Sequence, residues 1–330
     1  MNGSNRKRNS VLVTGAGGYI GRQLIEALAR DRRDLKTVVA ADVRETPPDE
    51  RLTGIDYVTA DIRSSELIDI FRRFSIDTVV HLATIVTPGR KSNSEFEYSV
   101  DVLGTENVLN TCLESRAKKL IITSSGAAYG YYADNPEWLD ENDALRGNPE
   151  VAYSHHKRLV EEMLGRYRNE HPELNQLVLR PGTVLGATAN NQITALFQKP
   201  FIMGLMGAAT PFVFIWDQDV VGCILRGIFS DATGIYNLAG DGVLTMKEIA
   251  GLMDKPYVPL PVGLVRTALW MLKKLGLSQY GPEQVNFLRY RPVLSNRRLK
   301  EEFGYTPQKT TRQVFEHYMF HTKQKECIGN

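Results

Sequence analysis

A tyrosine and a lysine four residues apart, Tyr153 and Lys157, are the side chains of this chain best suited to acid–base chemistry. They lie at the start of a predicted helix, where residues four apart share one face. A phenol is a poor base at neutral pH because its ordinary pKa is about 10. A nearby ammonium group favours the phenolate, so Tyr153 can exchange a proton with a substrate hydroxyl.

A serine at the end of a predicted strand supplies a third polar group. Ser125 closes the segment Leu120-Ile-Ile-Thr-Ser-Ser125, and the carboxyl ends of parallel strands face the ligand crevice of an α/β sheet. Its hydroxyl can hold the same substrate oxygen. A Tyr-x-x-x-Lys pair alone is usually a solvated helix face, so its interpretation depends on the segments that surround it.

A glycine-rich segment near the start of the chain supports that interpretation. Val11 to Val13 predict a buried strand, and Gly15, Gly18 and Gly21 follow before an apolar-periodic helix. Such a turn aims the helix N–H groups at one point and lets a pyrophosphate approach the backbone. Asp42 ends the next apolar run, where an acid meets the adenosine ribose. Its charge favours NAD, whereas Arg44 leaves NADP open.

Strand and helix patterns alternate from residue 11 to about residue 180, which predicts a parallel sheet with helices on both faces. The predicted strands are Val11–Thr14, Thr37–Ala41, Tyr57–Ala60, Thr78–Leu82, Leu120–Thr123 and Gln176–Leu179, and the predicted helices are Glu66–Phe74, Phe96–Leu113 and Ala152–Arg168. Beyond residue 180 a helix at Val220–Phe229, a strand at Ile235–Leu238 and a capping box at Thr245–Glu248 are predicted.

We therefore predict an α/β fold, a Rossmann-type doubly wound parallel sheet with a smaller C-terminal substrate-binding lobe. Residues 1–10 are assigned to a disordered leader, 11–180 to the NAD-binding domain, and 181–330 to the substrate-binding lobe, interleaved with the first.

The composition argues against several other classes of protein. A net charge of +2 without long blocks of one sign disfavours nucleic-acid binding, and no apolar stretch is long enough to span a bilayer. Cys112, Cys223 and Cys327 are far apart and lack metal-type spacing, so we expect a reducing cytoplasm and no metal.

These motifs together resemble the extended short-chain dehydrogenases/reductases, the NAD-dependent epimerase/dehydratase family. The similarity runs from residue 11 to about residue 310. It is carried by Thr14-Gly-Ala-Gly-Gly-Tyr-Ile-Gly21, Asp42, Asp61-Ile62, His81-Leu-Ala-Thr84, Gly104-Thr-Glu-Asn107, Ser124-Ser125, Tyr129-Gly130, Tyr153/Lys157 and Arg180-Pro181.

The resemblance implies NAD as cofactor, with Ser125, Tyr153 and Lys157 catalytic. Asp61 and Ile62 would contact adenine, Leu82 and Ala83 would line the middle of the cofactor, Lys157 would hold the nicotinamide ribose, and Pro181 to Val184 would border the nicotinamide amide. The implied cofactor-binding set is Gly15, Gly18, Tyr19, Ile20, Gly21, Asp42, Asp61, Ile62, Leu82, Ala83, Thr84, Tyr153, Lys157, Pro181, Thr183 and Val184. The resemblance also implies a homodimer through helices 96–113 and 152–168.

Several residues depart from the family pattern. Gly126-Ala127 replace the Asp-Glu pair of sugar dehydratases, which disfavours dehydration. Thr183 stands where nucleotide-sugar epimerases have asparagine, and Phe212 stands near the place of their diphosphate-binding arginine. Asp101 replaces a usual asparagine, which affects the expected geometry around Lys157.

Apolar residues in the C-terminal part suggest the kind of substrate. Phe201, Ile202, Met203, Leu205, Met206 and the run Phe212–Trp216 are expected to place half of their side chains in the core and half against the substrate. An apolar wall favours a carbon-rich hydroxy or keto compound over a sugar diphosphate. The run Leu264 to Leu275 is interpreted as a lid or core helix in preference to a membrane-surface helix.

We therefore expect an NAD-dependent oxidoreductase that acts on a secondary alcohol or ketone of a largely apolar substrate. The alternatives are a nucleotide-sugar (UDP-sugar) 4-epimerase with tightly bound NAD and a non-catalytic NAD-sensing binding protein. His155 and His156 are expected to be polar surface residues, and His81 to be packed and hydrogen-bonded.

Overall fold

A seven-stranded parallel sheet forms the centre of the computed structural model, which describes residues 10–86, 93–277 and 281–328. In chain order the strands are β1 (Ser10–Thr14), β2 (Thr37–Asp42), β3 (Asp56–Thr59), β4 (Thr78–His81), β5 (Lys119–Thr123), β6 (Asn175–Pro181), β7 (Thr183–Leu185), β8 (Ile202–Leu205), β9 (Pro211–Phe212), β10 (Phe214–Trp216), β11 (Gly234–Leu238), β12 (Leu244–Thr245) and β13 (Tyr257–Leu260). The sheet order is β11-β6-β5-β4-β1-β2-β3, and β10–β7, β12–β9 and β13–β8 form separate pairs. The predicted doubly wound α/β fold is confirmed.

Helices cover both faces of this sheet. They are α1 (Tyr19–Arg30), α2 (Leu67–Phe74), α3 (Ser94–Tyr98), α4 (Gly104–Ser115), α5 (Ala152–Glu170), α6 (Gln192–Phe197), α7 (Asp217–Phe229), α8 (Met246–Leu252), α9 (Val262–Lys274), α10 (Gln284–Arg289), α11 (Arg297–Glu301) and α12 (Thr311–Ile328). In β1, Val11 and Val13 pack against the layer of α1, α7 and α11, whereas Leu12 packs against α2, α4 and α5. This alternation explains why the strand is apolar throughout.

The helix predicted over 96–113 is divided into three segments. A π-helical turn at Ser99–Leu103 separates α3 from α4. The wide turn carries Asp101, whose carboxylate accepts hydrogen bonds from the Thr84 hydroxyl (2.9 Å) and the Ile85 N–H (2.8 Å). Such turns often occur at functional sites, and this one connects the helix to the loop after β4.

The chain returns to the large sheet after residue 180. Strand β11 pairs with β6, so the strand predicted at Ile235–Leu238 belongs to the main sheet and not to the small lobe. The small lobe has its own aromatic core, which contains Phe197, Phe212, Phe214, Phe315 and Tyr318. The capping box at Thr245 is confirmed.

At the N-terminus the structure shifts one predicted boundary. Ser10, assigned to the leader, begins β1, and residues 1–9 lie outside the described residues. Within the described ranges, none of the helices combines the length and the apolar character needed to cross a bilayer.

Candidate active site

A cavity of about 740 Å³ opens where β1, β4, β5 and β6 end. Parallel strands end at the same edge of a sheet, so the residues that follow them converge there. The sequence-predicted site residues that line the cavity are Gly15, Gly18, Tyr19, Ile20, Gly21, Leu82, Thr84, Ser125, Tyr153, Lys157, Pro181, Thr183 and Val184. Asp42, Asp61, Ile62 and Ala83 do not belong to this lining.

The glycine-rich turn forms one end of the cavity, and close packing explains two of its glycines. Gly15 has φ +70°, and a Cβ there would lie 2.6 Å from the Ala83 nitrogen. A Cβ at Gly21 would lie 2.2 Å from the Gly15 carbonyl oxygen. No side chain fits at either place, so the N-terminus of α1 stays open toward the cavity. This arrangement suits the phosphates of a dinucleotide.

Asp42 lies beside this turn at the end of β2. Its carboxylate accepts hydrogen bonds from the Gly17 N–H (2.9 Å) and from the Arg44 N–H (3.0 Å). The Arg44 side chain reaches over the turn and donates to the Gly17 carbonyl (3.2 Å). An acid therefore lies next to the glycine-rich turn, and an exposed cation lies above it.

Asp61, Ile62 and Ala83, which were also predicted to contact the cofactor, make other contacts in the structure. The Arg63 guanidinium hydrogen-bonds Asp61 at 2.6 Å and holds the pKa of this carboxyl below its usual range. Ile62 packs against Gly104, and the Ala83 backbone packs against Gly15. Their contacts with adenine and with the middle of the cofactor stay predictions.

Tyr153 and Lys157 meet on the buried side of α5. The Lys157 Nζ lies 5.7 Å from the centre of the Tyr153 ring and donates to the Thr123 carbonyl (3.2 Å). Burial lowers the pKa of Lys157, while the charges of Asp101 and Glu161 raise it. Burial raises the pKa of Tyr153, and a hydrogen bond with Ser125 lowers it. The phenol is therefore neutral at neutral pH, and the Lys157 amine and the Ser125 hydroxyl lie near it.

Ser125 is fixed at the end of β5. It caps the short 3₁₀ turn Gly126–Tyr129 by accepting a hydrogen bond from the Ala127 N–H (3.1 Å). The Ser125 hydroxyl therefore has a defined position at the cavity wall. Ser125, Tyr153 and Lys157 therefore line the same cavity.

Asp101 and His156 form a buried pair behind the lysine. Their Oδ2 and Nδ1 atoms are 3.2 Å apart, and both side chains are almost fully buried. The prediction that His156 is a surface residue is therefore wrong, because the helix turns it toward Asp101. Burial opposes the charge on Asp101, but the hydrogen bond from His156 and the charge of Lys157 hold its pKa below the usual range.

His81 has the structural role that was predicted for it. Its two ring nitrogens contact the hydroxyls of Thr14 (2.7 Å) and Thr105 (3.0 Å). Burial lowers the pKa of His81 to about 3, and the charge of Lys157 acts in the same direction. The imidazole is neutral and connects β1, β4 and α4.

An arginine that the sequence reasoning missed lines the opposite wall of the cavity. The Arg291 guanidinium lies 4.1 Å from the centre of the Phe212 ring and 4.8 Å from that of Phe287. It donates to the Thr183 hydroxyl (2.9 Å), whereas its buried Nη1 has no hydrogen-bond partner among the described residues. Burial lowers the pKa of Arg291 to about 10. The wall thus holds a cation whose Nη1 group has no partner among the described residues, placed over the ring of Phe212.

The apolar residues expected to face the substrate mostly face elsewhere. Phe212, Phe214 and Ile215 are fully buried. Of the ten apolar residues in the segments 201–206 and 212–216, only Val213 lines the large cavity. The prediction that half of them face the substrate is wrong, because the two phenylalanines turn into the core of the small lobe. The apolar part of the wall comes instead from other segments, with Ile193, Phe287 and Leu294.

Several lining residues lie outside every motif of the sequence. They are Tyr131, Thr188, Asn190, Asn191, Gln192, Ile193, Phe287, Arg291 and Leu294. They come from loops and short helices that the fold brings over the ends of the strands. No local spacing distinguishes them, so only the tertiary structure identifies them.

Comparison with known proteins agrees with this architecture. A UDP-glucose 4-epimerase of Mycolicibacterium smegmatis is 26% identical over 320 residues, which cover 90% of this chain and 93% of that protein. The crystal structure of a Thermotoga maritima UDP-glucose 4-epimerase with UDP-glucose superposes with a TM-score of 0.74 at 17% identity, covering 96% of this chain and 99% of the other. The crystal structure of the Thermus thermophilus UDP-glucose 4-epimerase complex with NAD superposes with a TM-score of 0.68 at 23% identity. The match covers 94% of this chain and 99% of the other.

The family itself is shown by a match to a family model over more than half of the chain. Residues 11–204 match the profile of the NAD dependent epimerase/dehydratase family. This range includes the glycine-rich turn, Asp42, the strand-end Ser125 and the Tyr153/Lys157 pair, and the parallel sheet places most of them around one cavity. The chain therefore belongs to the NAD-dependent epimerase/dehydratase family of extended short-chain dehydrogenases/reductases.

Proposed function

We propose that this protein is an NAD-dependent oxidoreductase that acts on a carbon bearing a secondary hydroxyl or a ketone. The convergence of Ser125, Tyr153 and Lys157 at one cavity with a glycine-rich turn carries this proposal. The glycine-rich turn and Asp42 would hold the adenosine diphosphate part of NAD, and Lys157 the nicotinamide ribose. Bound NAD supplies hydride chemistry at the substrate carbon.

The side chains of the protein handle the proton. Ser125 holds the substrate oxygen beside the Tyr153 hydroxyl, and Tyr153 gives the proton to a carbonyl oxygen or takes it from an alcohol. The Lys157 ammonium stabilises the phenolate that results. The Asp101 carboxylate, which raises the pKa of Lys157, helps keep this lysine charged.

The substrate is proposed to combine an apolar part with an anionic group. Phe287, Leu294 and Val213 offer apolar surface, while the free donor of Arg291 offers one charge-assisted hydrogen bond. An unpaired donor in a buried wall is unfavourable until a ligand satisfies it. A substrate oxygen with negative charge does so.

A second candidate, a UDP-sugar 4-epimerase with retained NAD, is favoured by the same Arg291. The sequence has no arginine near position 212, but the fold supplies a guanidinium there from a different segment. The similarity to UDP-glucose 4-epimerases points the same way. An epimerase would use the same Ser125, Tyr153 and Lys157.

We further propose a homodimer and a reducing cytoplasmic environment. α4 and α5 pack on one face of the sheet, and Phe96, Tyr98 and Leu103 beside them expose apolar surface that a partner would cover. The thiols of Cys112 and Cys223 are free and buried. Light scattering that reports a monomer at micromolar concentration would exclude the dimer.

Spectrophotometry of NADH with a panel of secondary alcohols and ketones tests the main proposal. Tyr153→Phe removes the transferable proton and is expected to lower kcat by roughly two to four orders of magnitude, with the Kd for NAD nearly unchanged. An epimerase, in contrast, would purify with NAD bound and turn over UDP-sugars without added cofactor. Near-normal turnover by Tyr153→Phe would exclude the proposed mechanism.

A further inference from the structure

Helix α9 and the residues after it form the largest uncovered run of apolar side chains on the small lobe. Leu264, Trp270, Met271 and Leu272 in the helix, and Leu275 and Leu277 after it, are between 40% and 72% exposed. Val265 is the one residue of the helix that is buried. The prediction of a core helix is therefore wrong, because the helix contacts the protein along one narrow line. The role of a lid stays a prediction.

Neighbouring residues extend this surface. Met206 is also exposed, and its N–H donates to the carbonyl of Leu260 (2.9 Å), directly before α9. A concentration of exposed apolar side chains of this kind marks a contact with another molecule. We call Met206, Leu264, Trp270, Met271, Leu272, Leu275 and Leu277 the α9 face.

The charged residues of α9 itself are all basic. Residues 255–282 contain four basic residues, Lys255, Arg266, Lys273 and Lys274, and no Asp or Glu. The Lys274 Nζ lies 5.0 Å from the centre of the Trp270 ring, so this cation and this aromatic ring lie next to each other on the surface. Lys273 pairs with Glu283 at 3.0 Å, so the net positive charge of the helix comes from Arg266 and Lys274.

We infer that the α9 face docks this protein onto the surface of an anionic lipid bilayer. An apolar helix face with a tryptophan and flanking lysines inserts among headgroups and lets its cations reach the phosphates. Lys and Arg near an anionic membrane are attracted to it. A second copy is disfavoured as the occupant, since a symmetric contact would bring these cations together beside an apolar seam.

The short helix α10 connects this face to the active site. Val285 packs with Val265 of α9 in one apolar cluster, and Phe287, two residues further along α10, lines the large cavity. A bilayer at the α9 face would therefore lie one helix away from the substrate wall. The docking itself does not depend on the identity of the substrate.

Co-sedimentation of the full-length protein with vesicles tests the inference. Vesicles of phosphatidylcholine that contain about 30 mol% of the anionic lipid phosphatidylglycerol are compared with vesicles of pure phosphatidylcholine. Both are measured at low and at high salt. We expect binding to the anionic vesicles that weakens as salt is raised. Trp270→Glu should weaken it about tenfold or more, since it removes a large inserted ring and adds an anion. Lys274→Glu should weaken it about fivefold or more.

Phe320→Glu is the matched control, because Phe320 is an equally exposed aromatic residue on α12 outside the α9 face, and its vesicle binding should be unchanged. NAD titration and thermal unfolding of each variant verify that it is folded. Absence of binding to anionic vesicles by the folded wild-type protein would overturn the inference. So would self-association that is abolished by Trp270→Glu without vesicle binding, which would assign the face to a second copy.

Discussion

Replacing Arg291 by methionine separates a ligand-binding role of this residue from a structural one. Methionine keeps the length of the side chain and its contact with Phe212 and Phe287, but it removes the charge and every donor. We expect Arg291→Met to leave the free energy of unfolding within about 1 kcal/mol of the wild-type value, because the cost of burying the guanidinium and the gain from its contacts nearly cancel. Binding of an anion in the cavity should be lost.

The expected balance follows from the contacts of the guanidinium. Burial lowers the pKa of Arg291 from 12.5 to about 10, which corresponds to a cost on the order of 3 kcal/mol in the folded state. The hydrogen bond to Thr183 returns about 1 kcal/mol, and each of the two aromatic contacts returns about 0.5–1 kcal/mol. Because the folded-state pKa is the lower one, the cost is complete at neutral pH and falls only as the pH rises through about 10.

Two measurements at pH 7 test this expectation. Urea unfolding gives the stability difference, and calorimetry on the NAD-loaded protein gives the affinity for UDP and for inorganic diphosphate. The variant should bind at least about tenfold more weakly than the wild type, because a hydrogen bond to a charged group is lost. Arg289→Met is the matched control, since Arg289 lies two residues away and does not line the cavity.

Two results would refute the reasoning. A loss of about 3 kcal/mol or more on Arg291→Met would show that the guanidinium is a structural cation that the fold requires. Equal anion affinity in both proteins would show that the ligand lies elsewhere. Micromolar UDP binding that depends on Arg291 would instead favour the epimerase over the oxidoreductase.

Three further predictions concern the cofactor turn and the core. Gly21→Ala places a methyl group 2.2 Å from the Gly15 oxygen and should abolish NAD binding in a fluorescence titration. Gly165→Ala, in the open part of α5, is the control and should leave NAD binding intact. Unchanged NAD affinity in Gly21→Ala would contradict the assigned turn. Asp42→Ser should reduce the preference for NAD over NADP in binding titrations, and tighter NADP binding by the wild type would argue against this role. Glu161→Gln should lower the free energy of unfolding by about 3–5 kcal/mol, because Glu161 and Arg180 form a buried two-bond pair at 2.7 and 2.9 Å; Glu162→Gln, an exposed pair with Arg158 at 3.5 Å, should change it by less than about 1 kcal/mol.

Sequence reasoning was most successful where local physics decides the outcome. Continuous apolar strands such as Val11–Val13 are buried on both faces of the sheet, and glycine spacing reveals a turn that admits no side chain. The order of strand-end serine, tyrosine and lysine was enough to predict that they share a site. These features depend on neighbours in sequence or on the common edge of a parallel sheet.

Local patterns failed where a residue's surroundings come from distant segments. The sequence predicted His156 at the surface, but the π-helical turn brings Asp101 to within 3.2 Å of it. The sequence allowed a core position for α9, but the described residues bury only Val265 of this helix. Neither burial follows from helical spacing, because spacing gives the face of a helix but not what lies opposite.

The substrate wall shows the same division most directly. The sequence determined the sheet, the phosphate turn and the Ser125/Tyr153/Lys157 group, since each is written in short-range spacing. Only the tertiary structure decided the charge of the wall: Phe212 turns into the small-lobe core, and Arg291, 79 positions further along the chain, lays its guanidinium over that ring. The physical reason is that a wall is built by the packing of separate segments, and packing partners at long range leave no periodic signal in a single sequence.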